Sequence, residues 1–188
     1  FADAIPAGST IAQQAPAPLM STADNRYQQV DAHRLHQLFA LEALPDSSAD
    51  ALAFLCHWLN SAKPGGLLAG LRDRGWATHL KAAPLYQFAG QALLHIEFTL
   101  SAGAPSTAIR EQLLDWLGFF ARQDWSALST EYAALLQCQQ HVATALQLAR
   151  LDSEQLEAGL SEQGATALRH VLNQIGAVDN FSGEWQLP

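Results

Sequence analysis

The chain has 188 residues, room for one substantial domain with additions. Hydrophobic residues make up 49% and charged residues 15%, a packed globular composition that argues against intrinsic disorder. A net charge of -8 with ten Lys plus Arg lacks the basic footprint that nucleic acid or an anionic membrane requires, and no apolar run is long enough for a spanning helix.

Residues 1–32 open with a stretch rich in Ala, Pro, Gln, Ser and Thr in which no period can be read. This segment is expected to be an incoming linker. Its first part has neither the basic start nor the apolar run of a signal peptide, so the chain reads as a fragment of a longer protein. His33 to Leu44 reads as a strand stopped by Pro45. The next segment predicts a helix capped by Ser47 or Ser48, with Leu52, Leu55, Cys56 and Leu59 on one stripe and Phe54 and Trp58 beside it. A second, short helix is expected to carry Pro64 in its first turn, to bury Leu67, Leu68 and Leu71, and to stop at a left-handed Gly75. "WATHLKA" reads as a strand.

After Pro84, the clearest strand signal in the chain alternates Leu94, Ile96, Phe98 and Leu100 with His95, Glu97 and Thr99, so one face is buried and the other wet. A long helix follows, capped by Ser106 or Thr107, with Ile109, Leu113, Trp116, Leu117 and Phe120 on one face. Another starts near Ser126. A third is expected from Asp152, weakened by Gly159 and Gly164, resuming through Leu168, Val171, Leu172 and Ile175 and ending at Gly176. Residues 177–188 read as an exit segment. The order of elements predicts an α+β two-layer sandwich over 33–176, helices on one face of an antiparallel sheet, with extra C-terminal helices.

The residues capable of chemistry are few. His33 and His36 lie three apart in an expected strand, which puts their rings on opposite faces, and no Cys, Asp or Glu supports them at ligand spacing. Cys56 and His57 are adjacent on a helix and diverge, so they form no nucleophile–base pair. The two cysteines, Cys56 and Cys138, read as small buried residues of a reducing compartment, with no disulfide framework indicated. Pro64-Gly65-Gly66 lacks the Gly-Lys-Ser/Thr of a phosphate loop and reads as a tight turn between packed helices. His95 and Glu97 share the wet face of a strand, an arrangement that proton transfer can use and an ordinary solvent-facing sheet also explains. None of the seven histidines begins an H-x-x-E-H motif. No catalytic residue and no metal ligand is assigned.

The stretch "KPGGLLAGLRDRGWATHLKA" (Lys63 to Ala82), followed by "LLHIEFTLSAGAPSTAIREQLLDWLGFFARQ", resembles the second domain of insulinase-type zinc peptidases. The shared pattern is Pro-Gly-(Gly/Ser)-Leu-Leu, then Leu-(Lys/Arg)-x-x-Gly-Trp, a strand, and a helix pair closed here by Trp125 and Glu131. The match runs from about His33 to about Val142. It implies a metallopeptidase-like fold, four related domains closing around a chamber, and zinc held by an H-x-x-E-H domain that this chain does not contain. No cofactor is then expected on this chain.

What the resemblance implies for function is a non-catalytic, substrate-holding domain of a bacterial cytoplasmic zinc metallopeptidase. Its partners would be a peptide and the other domains of the parent chain, with no nucleic acid and no membrane. Strand addition of the peptide is implied at Leu80 and Ala82, with His57 and Asn60 close by. Relatives carry glycine where this chain has Ala82 and Ala83. The alternative is a catalytically dead scaffold or partner subunit of a processing peptidase.

Overall fold

The computed structural model describes residues 16–19, 26–31, 33–142, 159–176 and 185. In chain order the elements are β1 (Arg26–Val30), β2 (Arg34–Leu41), α1 (Ser48–Leu59), α2 (Leu67–Asp73), β3 (Ala77–Phe88), β4 (Gln91–Leu100), α3 (Ser106–Ala121), α4 (Ser126–Val142) and α5 (Glu162–Ile175). The strands form one sheet in the order β1-β2-β4-β3, antiparallel throughout. The fold is the expected α+β sandwich.

Alternation sets which side of the sheet is dry. Leu35, Phe39 and Leu41 of β2, Leu80 and Ala82 of β3, and Leu94, Ile96 and Phe98 of β4 are all buried. They share one core with Leu52, Phe54 and Leu55 of α1, Leu67 and Leu71 of α2, Trp116 and Phe120 of α3, and Leu168, Val171 and Leu172 of α5. On α5 the apolar stripe, the Ser161 hydroxyl cap on the Gly164 amide (3.0 Å) and the left-handed Gly176 terminus (φ 70°) agree with one another. Asp152, expected to open this helix, lies outside the described residues.

Several expectations are corrected. The segment read as linker contains β1, which pairs with β2 from Arg26↔Phe39 to Val30↔Leu35. Its sequence, RYQQV, shows no apolar alternation because it is an edge strand; Gln28, Gln29 and Val30 are exposed. Ser47 occupies the N-cap position of α1, as one of the two expected candidates, but its side chain makes no cap hydrogen bond, and the Ser48 hydroxyl donates back to the Pro45 carbonyl at 2.6 Å. Pro105, not Ser106 or Thr107, occupies the cap position of α3.

Pro64 lies outside α2 rather than in its first turn. The Gly66 amide reaches the Lys63 carbonyl at 3.1 Å and Gly65 has φ 82°, the pattern of a type II turn with Pro64 second and Gly65 third. At the other end Gly75 (φ 68°) donates to Arg72 and Trp76 donates to Leu71, both at 2.9 Å. That is a Schellman ending, as the Gly75 reading anticipated.

Pro84 does not end a strand. β3 continues through it to Phe88, and the chain reverses at Ala89 (φ 48°) and Gly90 (φ 77°). Positive φ at both central residues is the type I′ hairpin turn, whose twist matches paired strands. Proline is tolerated because β3 is an edge strand. The outward main chain of Ala82 fixes the alternation, so the Pro84 nitrogen also faces away from β4 and no ladder bond is lost.

Phe98 is fully buried at the centre of the sheet's dry face. Phe98→Ala should lower unfolding free energy by about 3–5 kcal/mol, read as a shift in urea midpoint. A loss below about 1 kcal/mol would mean that this face is not the packed one.

Candidate functional site

The residues implied as substrate-binding divide into two places. Asn60 closes α1, and its carboxamide meets the main chain of Ala82 twice: Nδ2 donates to the Ala82 carbonyl at 2.9 Å, and the Ala82 amide donates to Oδ1 at 2.7 Å. The side chain thus occupies the position of one residue of a neighbouring strand. The side chains of Leu80 and Ala82 point into the core, 2% and 3% exposed, so only their main chains face the free edge of β3.

Two residues before Leu80, the Thr78 carbonyl accepts from Arg72 Nε (3.1 Å) and a terminal guanidinium nitrogen (2.9 Å). The clipped helix α2 sets the place from which Arg72 reaches this carbonyl. The first half of the β3 edge is therefore tied off at Thr78 and Ala82. Among the described residues no side chain caps Leu80 between them. The second half, beyond Pro84, presents Leu85, Tyr86 and Phe88 at 61%, 38% and 58% exposure.

His57, one turn before Asn60 on α1, makes its ring contacts with α1 and α4. Its ring packs between Trp58 (centroids 5.2 Å, perpendicular) and Tyr132 of α4 (4.9 Å). Burial holds its imidazole below the usual range, opposed by the Glu131 carboxylate and reinforced by the Lys63 ammonium. Lys63 itself pairs with Glu131 and lies 5.7 Å from the Trp58 ring, which fastens the α1–α2 turn to α4. Trp125, the other half of the Trp125 and Glu131 pattern, donates its indole N–H to the Phe120 carbonyl at 2.8 Å. Cys56 is buried as expected, and that burial pushes its thiol up to about 12, a poor nucleophile at neutral pH; Cys138, expected to be buried too, is exposed on α4.

A second constellation occupies the other side of the sheet. β2 and β4 are neighbours, and pairing Leu38 with His95 brings His36 beside His95 and Glu97. His36 Nδ1 and His95 Nε2 are 3.0 Å apart, with the rings within 11° of parallel. Arg34 reaches Glu97 at 3.0 Å. Partial burial lowers the proton affinity of His95; His36 and Lys81 lower it further, against Glu97. The His95–Glu97 pairing was readable from alternation along one strand. His36 was not, because its partner lies 59 residues away and only strand order joins them.

Comparison with known proteins places this geometry. The fold is similar to part of pitrilysin, which superimposes with a TM-score of 0.54 at 12% identity, over 85% of this chain and 19% of pitrilysin. By sequence the chain is a relative of coenzyme PQQ synthesis protein F. It is 51% identical to the Pseudomonas protegens protein over all of this chain, and 46% identical to that of Pseudomonas syringae pv. tomato over 96% of it. The chain spans about a quarter of these relatives, 23% and 24% of their lengths. No protein-family model matches it.

Asn60→Ala should cost about 1–2 kcal/mol in urea unfolding, since two hydrogen bonds to Ala82 are lost. Asn60→Asp should not restore it, because a carboxylate oxygen would face the Ala82 carbonyl. Wild-type stability in both would show the pair to be incidental. A colourless-to-yellow disulfide reagent at pH 8 should label Cys138 alone in the native chain, and Cys56 only in denaturant; rapid labelling of both would contradict the packing of α1.

Proposed function

We propose that this chain is a non-catalytic, substrate-chamber module of a zinc metallopeptidase acting on a peptide precursor in PQQ synthesis, in the bacterial cytoplasm. Sequence relationship to coenzyme PQQ synthesis protein F supports the pathway, and the pitrilysin-like fold supports the architecture. Zinc would be bound by another part of the parent protein. The inverted motif is missing from this sequence, and its one cluster of three donor residues among the described residues lies on sheet strands rather than on a helix.

The observation that carries the reading is the outer edge of β3. A peptide added there gains main-chain hydrogen bonds without sequence-specific contacts. Asn60 and Ala82 satisfy one another and so serve as the stop of that edge. Leu80 offers its main chain beside the stop. Leu85, Tyr86 and Phe88 offer apolar contact for the peptide or for a neighbouring domain of the parent, a use that exposed apolar groups of this size commonly have. His57 supports the edge indirectly by fixing α1 against α4.

Strand addition has a period of two, which gives a sharp test. In the full-length parent enzyme, precursor peptides N-methylated at successive positions should lose affinity at alternate positions only, with zinc content unchanged. Uniform tolerance of methylation would overturn strand addition. An affinity loss without a two-residue period would point to a pocket instead.

A further inference from the structure

We propose that His36, His95 and Glu97 form a binding site for a divalent first-row transition-metal ion on the water-facing side of the sheet. The ligand atoms of these three residues all lie within 4.8 Å of one another. Two imidazoles and a carboxylate are a donor set that such ions accept, and zinc is a suitable probe. All three side chains are partly buried, which limits their freedom without closing access.

The distances fit. An ion bonded to two imidazole nitrogens at about 2.0–2.1 Å holds them roughly 2.9–3.4 Å apart at tetrahedral to octahedral angles. His36 Nδ1 and His95 Nε2 stand at 3.0 Å. With ring centroids at 5.2 Å and planes 11° apart, the two nitrogens point at one another, so one carries a proton shared with the other when no ion is bound. Binding requires the protonated ring to adopt its other neutral tautomer and both rings to swing by roughly 35–45° toward a common point on the Glu97 side, because an ion about 2.0–2.1 Å from each nitrogen sits off the line joining them. No net proton is released from two neutral imidazoles.

Two cations oppose the ion. Arg34 pairs with Glu97, but its side chain is 56% exposed and can swing into water. Lys81 lies opposite Glu97 on β3 and is exposed. Removing Arg34 should therefore strengthen binding, an effect that unfolding cannot imitate.

The test is titration of cobalt(II), a zinc surrogate with visible absorption, into the whole 188-residue chain freed of metal. One equivalent should bind with ligand-field bands. His36→Gln, His95→Gln and Glu97→Gln should each weaken binding about 10–100-fold while keeping the wild-type circular dichroism spectrum, and Arg34→Gln should tighten it. Absence of binding at millimolar cobalt, or binding indifferent to these four substitutions, would overturn the site and leave the histidine pair as a hydrogen bond alone.

Discussion

The whole molecule turns on the two-faced character of β4. It is the interior strand that both β2 and β3 use as a template, paired with β3 from Gln91 to Leu100 and with β2 from Ala92 to Thr99. Leu94, Ile96 and Phe98 are fully buried on one face, while His95, Glu97 and Thr99 retain water contact on the other. A one-residue slip would exchange these faces entirely, driving a carboxylate and an imidazole into the core. Register, helix placement and the polar constellation are therefore one decision, taken by a single alternating decapeptide.

A sheet built this way has ends and edges that must be finished, and here carboxamide side chains do much of it. Asn60 satisfies both main-chain groups of Ala82 at the edge of β3. Gln174 of α5 does the same just past the end of β2: the Glu42 amide donates to Oε1 at 3.0 Å and Nε2 donates to the Glu42 carbonyl at 2.6 Å. A primary amide carries the same donor and acceptor pair as a peptide group, so it can stand in for one residue of a strand. It cannot propagate the ladder, which makes it a stop as well as a partner. Both amides sit near helix C-termini, so the helices that cover the dry face also close the sheet.

The fold class was legible because it rests on periodicity. The alternation of β4, the stripe of α1 and the glycine endings of α2 and α5 are local signals, and each appears where the residues place it. What local patterns could not reveal depended on neighbours. β1 is polar because it is an edge strand. Pro84 looked like a break, since its outward-facing nitrogen is evident only once β3 is known to be an edge. At α1 the N-cap position fell to Ser47 without a side-chain cap bond, while Ser48 is buried and bonds backward. Of the candidate site, Asn60, Leu80 and Ala82 fell together along one edge. His57 packed against α4, a contact between residues 75 positions apart in sequence that spacing could not foresee (from His57 to Tyr132).

The clip formed by Lys63 to Trp76 shows how a joint serves a site without joining it. The type II turn at Pro64-Gly65 and the Schellman ending at Gly75 leave α2 only seven residues, buried through Leu67, Leu68 and Leu71. A helix so short has little intrinsic stability, and its position is set by those leucines and by its two stops. That position delivers Arg72 to the Thr78 carbonyl and starts β3 at Ala77. It also leaves Gly70 facing the Trp185 ring, where an added Cβ would lie 2.9 Å from the indole, while the Trp185 N–H reaches Asp115 Oδ2 at 2.7 Å. The glycine permits the close approach, the buried aspartate fixes the indole, and a residue far down the chain is thereby held against the same short helix that sets the edge of the sheet.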